Sequence, residues 1–109
     1  MGSLVTQGRS FPIVRPFVST PIKRYFPATK HSLSGDFLKF RQSHHGAQLF
    51  GNPISEPLRE QNGDGTGRVY LIQYFRNARF EYHPELAGTG NDVELGLLGK
   101  QILQQRGWL

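Results

Sequence analysis

Four histidines and several carboxylates are the side chains of this sequence that could hold a metal ion. The histidines are His31, His44, His45 and His83. Because His44 and His45 are adjacent, on a helix their side chains would point about 100° apart and could not easily share one ion. His83 lies between Glu81 and Glu85, a spacing that permits a mixed imidazole–carboxylate site. Zinc sites usually have a tighter set of ligands. We therefore interpret the histidines as structural and predict no metal site.

The sequence lacks the residue patterns that are typical of enzyme active sites. It has no cysteine, which excludes disulfides, thiolate metal sites and a cysteine nucleophile. It has neither a glycine-rich phosphate-binding motif nor the turn that presents a nucleophilic serine. Arg79 and Glu81 share one face of a predicted strand and are interpreted as a surface ion pair. We predict a protein that is not an enzyme, with no catalytic residue, no cofactor and no small-molecule substrate.

The aromatic residues of the second half of the chain have two interpretations. They are Tyr70, Tyr74, Phe75, Phe80 and Tyr82. Aromatic rings on a strand surface can stack on nucleic-acid bases, but that use needs basic residues on the same face. A chain with 37% hydrophobic residues also needs its aromatics to fill the core. We interpret these rings as core residues.

The positive charge of the chain is concentrated in its first 30 residues. The net charge is +5, and residues 1–30 contain five basic residues and no acidic one. The remaining eight basic residues balance all eight acidic residues. This distribution indicates a charged arm on a neutral domain, so nucleic acid is not the partner that we expect.

The same N-terminal residues are poorly suited to a helix or a central strand. Pro12, Pro16, Pro21 and Pro27 each restrict the backbone and remove a hydrogen-bond donor. Large apolar residues lie between these prolines, which is unusual for a disordered linker. We predict that residues 1–28 form an extended arm, laid along a partner by backbone pairing and apolar anchors. We expect residues 29–109 to form a compact domain that folds without the arm.

Three phenylalanines and three basic residues are the predicted contacts of the arm with its partner. They are Phe11, Arg15, Phe17, Lys23, Arg24 and Phe26. In an extended chain, which rises about 3.3 Å per residue, the three phenylalanines would lie tens of ångströms apart. Such spacing suits successive pockets along one partner, and the basic side chains would steer the arm toward an acidic surface.

The remaining sequence predicts an α+β fold. Leu33, Phe37 and Phe40 have helical spacing, which predicts a helix over residues 34–45. Alternating residues predict an antiparallel hairpin of strands 69–75 and 78–83, the second of which Pro84 would end. Residues 93–95 indicate a short third strand, and apolar residues between Leu97 and Leu103 indicate a second helix. The predicted fold is a small antiparallel sheet, made of the hairpin plus the third strand, with two helices and the extended arm before them.

Three segments of the compact domain resemble a short module found in predicted proteins of Chloroflexota bacteria. They are GNPISEP, QYFRNARFEYHPE and DVELGLLGKQIL. The resemblance covers about residues 31–107, and the stretch ARFEYHPE at 78–85 is its most specific part. More distantly, Phe50-Gly51-x-Pro53 followed by Gln73-x-Phe75 is similar to the LGFP repeats of bacterial cell surfaces. The resemblance implies an exported or surface-attached module without catalytic residues.

We expect a non-catalytic accessory subunit that docks through its arm onto a larger protein assembly. The bacterial resemblance suggests a membrane-bound electron-transfer or photosynthetic complex as that assembly. One alternative is a module that binds cell wall or glycan, and another is nucleic-acid binding through the basic arm. No apolar run is long enough for a transmembrane helix, and no signal peptide is visible. The expected location is peripheral on a membrane complex, with the extracytoplasmic side favoured by the resemblance.

Overall fold

The computed structural model describes residues 11–44, 46–61 and 67–96 of the 109-residue chain. The elements in chain order are strands β1 (Lys23–Phe26) and β2 (His31–Ser34), helices α1 (Gly35–Ser43) and α2 (Gly46–Leu49), strands β3 (Leu58–Gln61), β4 (Val69–Phe75) and β5 (Ala78–Tyr82), a 3₁₀ turn (Pro84–Leu86) and strand β6 (Val93–Leu95).

The strands form two antiparallel sheets. β1 and β2 form a two-stranded sheet in which Phe26 lies opposite His31. The other four strands form a second sheet in the order β3-β4-β5-β6, so that each strand pairs with its neighbour in the sequence. Its edge strands are β3 and β6.

The predicted fold class is therefore wrong in its sheets and in its helices. A single small sheet was predicted, whereas the protein has one sheet of two strands and one of four. β1 comes from residues assigned to the arm: the five residues between Pro21 and Pro27 are enough for a four-residue strand. β3 has the polar sequence Leu-Arg-Glu-Gln, and its pairing with the apolar strand β4 overrides its low strand propensity.

Only one helix among the described residues is longer than a single turn. This is α1, with nine residues, and α2 has four. The predicted helix over residues 34–45 corresponds to α1. The second predicted helix, between Leu97 and Leu103, lies outside the described residues.

The hairpin of β4 and β5 is confirmed. Phe75 lies opposite Ala78, and Arg76 and Asn77 form the turn between them. Pro84 begins the 3₁₀ turn that follows β5, because a proline at the first position of a helical turn loses no hydrogen bond. β6 then pairs with β5 and places Val93 opposite Tyr82.

The segment before β3 is bound to the turn of this hairpin. The amide of Arg76 donates to the carbonyl of Asn52 (3.1 Å), and the amide of Asn77 donates to that of Phe50 (3.0 Å). Gly51 has φ of +75°, and a Cβ at this position would lie 2.9 Å from Cβ of Arg76. The glycine of the GNPISEP segment is thus required by backbone conformation and by close approach.

The core lies between α1 and the inner face of β4 and β5. It is built from Phe26, Leu33, Phe37, Leu38, Phe50, Phe75, Ala78, Phe80 and Val93. Phe80 is fully buried, and its ring contacts the rings of Phe37, Phe40, Phe50 and Phe75. Of the aromatic residues predicted to be core residues, Phe75 and Phe80 belong to this cluster and Tyr82 packs against it, whereas Tyr70 and Tyr74 are buried in a second cluster with Ile72. Phe26, which was assigned to the arm, also belongs to the core.

Candidate protein-docking surface

Three large apolar side chains between residues 12 and 24 are exposed. Ile13 is 59% exposed, Val18 88% and Ile22 74%, and the other exposed large apolar residue among those described is Val69, at 53%. We call residues 12–24 the docking strip. Arg15, Lys23 and Arg24 are exposed on the same segment, which contains no acidic residue. The docking strip therefore offers apolar and basic groups together.

The docking strip is held against its own domain. The amide of Val14 donates to the carbonyl of Lys30 (3.0 Å), and Thr20 and Lys23 exchange backbone hydrogen bonds. The ring of Phe11, directly before the strip, stacks on Tyr74 with centroids 5.3 Å apart. These contacts fix the segment before any partner binds.

The outer edge of β1 is occupied by the same segment. The amide of Lys23 donates to the carbonyl and to the hydroxyl of Thr20, and the amide of Tyr25 donates to Oγ of Ser19 at 2.9 Å. Backbone donors that are already used cannot pair with a strand of a partner. The amides of Lys23 and Tyr25 are therefore not available to a strand of a partner, and a partner at this edge of β1 would contact side chains.

The six predicted partner-binding residues divide into two groups. Arg15, Lys23 and Arg24 are exposed. The three phenylalanines contact their own chain, and they do not lie together: Phe11 packs on Tyr74, Phe17 is half-buried, and Phe26 is in the core.

Two of these phenylalanines are each covered by basic side chains. Phe17 packs edge-on against Tyr25 at 5.4 Å, and Nζ of Lys23 lies 4.9 Å from the centroid of the Phe17 ring. The guanidinium of Arg24 lies 4.7 Å from the centroid of the Phe26 ring. The exposed apolar residues that sequence reasoning did not select are Ile13, Val18 and Ile22. Their only signal was their position between prolines, where no strand or helix pattern turns them toward a core.

Glu56 joins the two sheets. Its Oε2 accepts a hydrogen bond from the amide of Ser32 (2.8 Å) and lies 3.1 Å from Nδ1 of His31, while its Oε1 accepts from the hydroxyl of Ser32. In a hydrolytic triad the imidazole lies between hydroxyl and carboxylate. Here the carboxylate lies between the other two groups, so the order differs from that of a triad, and the hydrogen bonds connect Glu56 to β2.

Neighbouring residues complete this connection. Nε2 of Gln73, on β4, donates to the carbonyls of Ser32 (2.8 Å) and Ser55 (2.9 Å), and the hydroxyl of Ser55 accepts from the amide of Tyr74 (3.0 Å). Ser55 and Gln73 are fully buried. The Ser-Glu pair of the GNPISEP segment therefore positions β2 and, through β2, the docking strip.

His83 lies among three carboxylates at the end of β5. Its Nδ1 is 2.9 Å from Glu85, and its Nε2 is 3.2 Å from Glu81 and 3.4 Å from Glu94. Glu81 and Glu94 are directly opposite each other on β5 and β6, where like charges destabilise pairing. A doubly protonated His83 donates from both nitrogens and offsets that repulsion.

In this cluster, basic and acidic side chains of the same chain balance each other's charge. Arg79, which was interpreted as part of a surface pair, is largely buried, and its guanidinium lies 3.6 Å from Glu81. Over the described ranges, no group of three or more histidine or acidic side chains has a geometry suited to a metal ion.

The surroundings of His83 raise its pKa. Burial acts in the opposite direction, but hydrogen bonds to Glu85 and Glu81 and the charges of Glu94 and Glu85 outweigh it and raise the pKa above about 6.5. The pKa of Glu85 is lowered by its own backbone amide and by the hydrogen bond to His83. The cluster is therefore a source of pH-dependent stability.

We expect the free energy of unfolding to fall as the pH rises from about 6.5 through the pKa of folded His83. A group whose pKa is raised by folding stabilises fully below its unfolded pKa and ceases to do so above its folded pKa. The pH dependence that Glu85 contributes runs in the opposite direction. Because folding lowers its pKa, Glu85 stabilises the fold above its unfolded pKa, and this stabilisation is lost in acid as the pH falls through its folded pKa. Urea unfolding at several pH values measures the free energy of unfolding. It is compared for the unaltered chain, for His83→Gln and for the control His44→Gln, which changes an exposed histidine.

His83→Gln should flatten the profile above pH 6.5, and His44→Gln should leave it as in the unaltered chain. An unaltered chain whose stability is constant from about pH 6 to pH 9 would contradict the assigned role of His83.

Comparison with protein-family models, curated proteins and solved structures found no match for this chain. Among the helices of the described residues, none has the length and apolar character needed to cross a membrane.

Proposed function

We propose that the chain is a non-catalytic accessory subunit that docks onto a larger protein assembly through the docking strip. The observation that carries this proposal is the exposure of Ile13, Val18 and Ile22 on a segment that is fixed to its own domain. Three exposed apolar side chains on one short, fixed segment, with basic residues beside them in the sequence, are a candidate protein-binding surface.

The fixed position of the docking strip supports this function. A segment that is ordered before binding loses less conformational entropy when the partner binds, so more of the contact energy appears as affinity. Hydrogen bonds from Val14, Lys23 and Tyr25, and the packing of Phe11 and Phe17, provide this order.

The charge of the docking strip indicates the character of the partner surface. Arg15, Lys23 and Arg24 are exposed, and Asp36 is the first acidic residue of the chain. We propose an acidic, partly apolar protein surface as the partner. Because the basic groups are exposed, their contribution should decrease with salt, and the apolar contacts should persist.

The assembly and its location follow from the resemblance alone. The Chloroflexota likeness suggests a membrane-bound electron-transfer or photosynthetic complex, with this chain peripheral on its extracytoplasmic side. Burial of the aromatic residues favours protein docking over glycan stacking, since none of the described phenylalanine or tyrosine side chains is exposed. Nucleic-acid binding would have to use the basic groups of the docking strip without aromatic stacking.

Replacing the three exposed apolar residues together tests the proposal. The variant Ile13→Ser, Val18→Ser, Ile22→Ser should fold normally, because these side chains contribute little to the core, and should lose the partner. The matched control is Val69→Ser, an exposed apolar residue outside the docking strip. Thermal melting confirms folding of both variants, and capture from native membranes, with quantified recovery, compares their binding.

A further inference from the structure

A cleft of about 230 Å³ lies between the start of α1 and the inner face of the four-stranded sheet. Residues 34–36 form its rim, and its walls are the side chains of Phe37, Pro57, Leu71 and Tyr82. Leu71 and Tyr82 lie opposite each other on β4 and β5, and both are half-buried. Phe75 and Phe80, further along the same face, are fully buried. The inner face of the sheet is therefore incompletely covered at the cleft.

The cleft has the size of a side chain. Pockets for small-molecule ligands usually measure about 300–1,000 Å³. An apolar cavity of about 150 Å³ is large enough to hold benzene. The 230 Å³ of this cleft therefore suits a larger ring system such as an indole. Its volume and its apolar walls together favour one large apolar side chain as the occupant.

The sequence after β6 contains such a side chain. Residues 97–109, which lie outside the described residues, include Trp108, the single tryptophan of the chain. They also include Lys100 and Arg106 and no acidic residue. Among the described residues that line the cleft, Asp36 carries the only charge, and it is exposed. The segment and the cleft are thus complementary in apolar character and in charge.

The same segment is long enough to reach the cleft. The amide of Gly96 donates to the carbonyl of Arg79 (2.7 Å), and Tyr82 lies three residues further along β5. At the rise of a strand, about 3.3 Å per residue, this separation is about 10 Å. Trp108 follows Gly96 by twelve residues. Even at the rise of a helix, about 1.5 Å per residue, that length of chain spans about 18 Å.

We infer that Trp108 of the same chain occupies the cleft between α1 and the hairpin of β4 and β5. Its ring covers the exposed parts of Leu71 and Tyr82 and completes the inner face of the sheet. A buried aromatic side chain removes about 150–250 Å² from water, so this contact contributes to stability. The inference is independent of the docking strip, none of whose residues lines the cleft.

The indole signals of Trp108 test the inference in the full chain, because no other tryptophan contributes to them. We expect nuclear Overhauser effects between the indole ring and the side-chain protons of Leu71 and Tyr82. We also expect acrylamide to quench the tryptophan fluorescence several-fold less in the folded chain than in urea. An indole ring that contacts neither side chain, or that is quenched equally in both conditions, would overturn the inference.

Variants of the cleft connect the protection of Trp108 to this site. Leu71→Ser removes an apolar wall and should raise quenching toward its value in urea. The matched control Leu58→Ser changes a leucine that is also half-buried, but on the outer face of the sheet, and should leave quenching unchanged. Asp36→Lys alters an exposed side chain outside the core and should raise quenching in the same direction as Leu71→Ser.

Thermal melting shows whether each variant is folded. Quenching that stays as in the unaltered chain in the folded cleft variants would contradict the assignment of Trp108 to the cleft.

Dilution distinguishes Trp108 of the same chain from that of a second copy. Protection of the indole that is independent of protein concentration supports the inference. Protection that is lost on dilution would mean that a second copy fills the cleft, and would overturn it.

Discussion

A chain that begins at residue 29 is expected to be mostly unfolded at 25 °C. The deletion removes β1 and Phe26, which is 5% exposed in the core, together with the contact of Phe11 on Tyr74. Loss of one large buried aromatic side chain costs roughly 3–5 kcal/mol. Domains of this size are stabilised by only about 5–15 kcal/mol in total. Circular dichroism and thermal melting of the shortened chain measure the outcome.

The matched control begins at residue 11 and keeps every contact described above. It should melt cooperatively, and at a clearly higher temperature than the chain that begins at residue 29. The composition of the arm suggested that residues 29–109 fold independently, but the predicted boundary lies in the turn between β1 and β2. Cooperative melting of residues 29–109 at the midpoint of the full chain would show that β1 is dispensable.

Phe80→Ala is expected to lower the free energy of unfolding by roughly 3–5 kcal/mol. Phe80 is fully buried and contacts four other phenylalanine rings, the nearest being Phe75 with centroids 4.1 Å apart. Because rings packed on several sides cannot move inward to fill the space, a cavity should remain. Denaturant unfolding at equilibrium gives the difference.

Val69→Ala is the control on the same sheet, since Val69 is about half exposed. Surface substitutions of this kind usually change stability by less than about 0.5 kcal/mol. A loss below about 1 kcal/mol for Phe80→Ala would mean that the core does not depend on this ring.

Local patterns in the sequence were sufficient to predict some elements. β4 and β5 have the alternating pattern of strands, and a two-residue turn joins them, so their pairing depends on neighbouring residues. The same holds for α1, where Leu38 and Phe37 are buried and the helix begins one residue later than predicted. The end of the second hairpin strand was also predicted from a local signal, Pro84, which begins the 3₁₀ turn after β5.

Contacts between distant residues could not be predicted in this way. Ser32 and Glu56 are 24 residues apart in the chain, and Gln73 and Ser32 are 41 apart. No periodicity indicates that these side chains meet. β1 was missed because prolines flank it, although its pairing with β2 satisfies its backbone.

The candidate docking residues show the same limit. Basic charge in the docking strip was evident from composition, and Arg15, Lys23 and Arg24 are indeed exposed. The phenylalanines were selected as anchors because of their size. In the folded chain, however, large rings that can reach their own domain pack there, as Phe26 does, and the smaller side chains remain outside.

Recovery of the partner from native membranes tests the central claim most directly. The unaltered chain is compared at physiological salt with the triple variant Ile13→Ser, Val18→Ser, Ile22→Ser. If the docking strip is the interface, the triple variant should recover less than about one tenth of the partner, because a few central residues carry most of the binding energy of an interface. Val69→Ser should recover the full amount. Equal recovery by the triple variant and the unaltered chain, with both folded, would contradict the claim that this protein docks through residues 12–24.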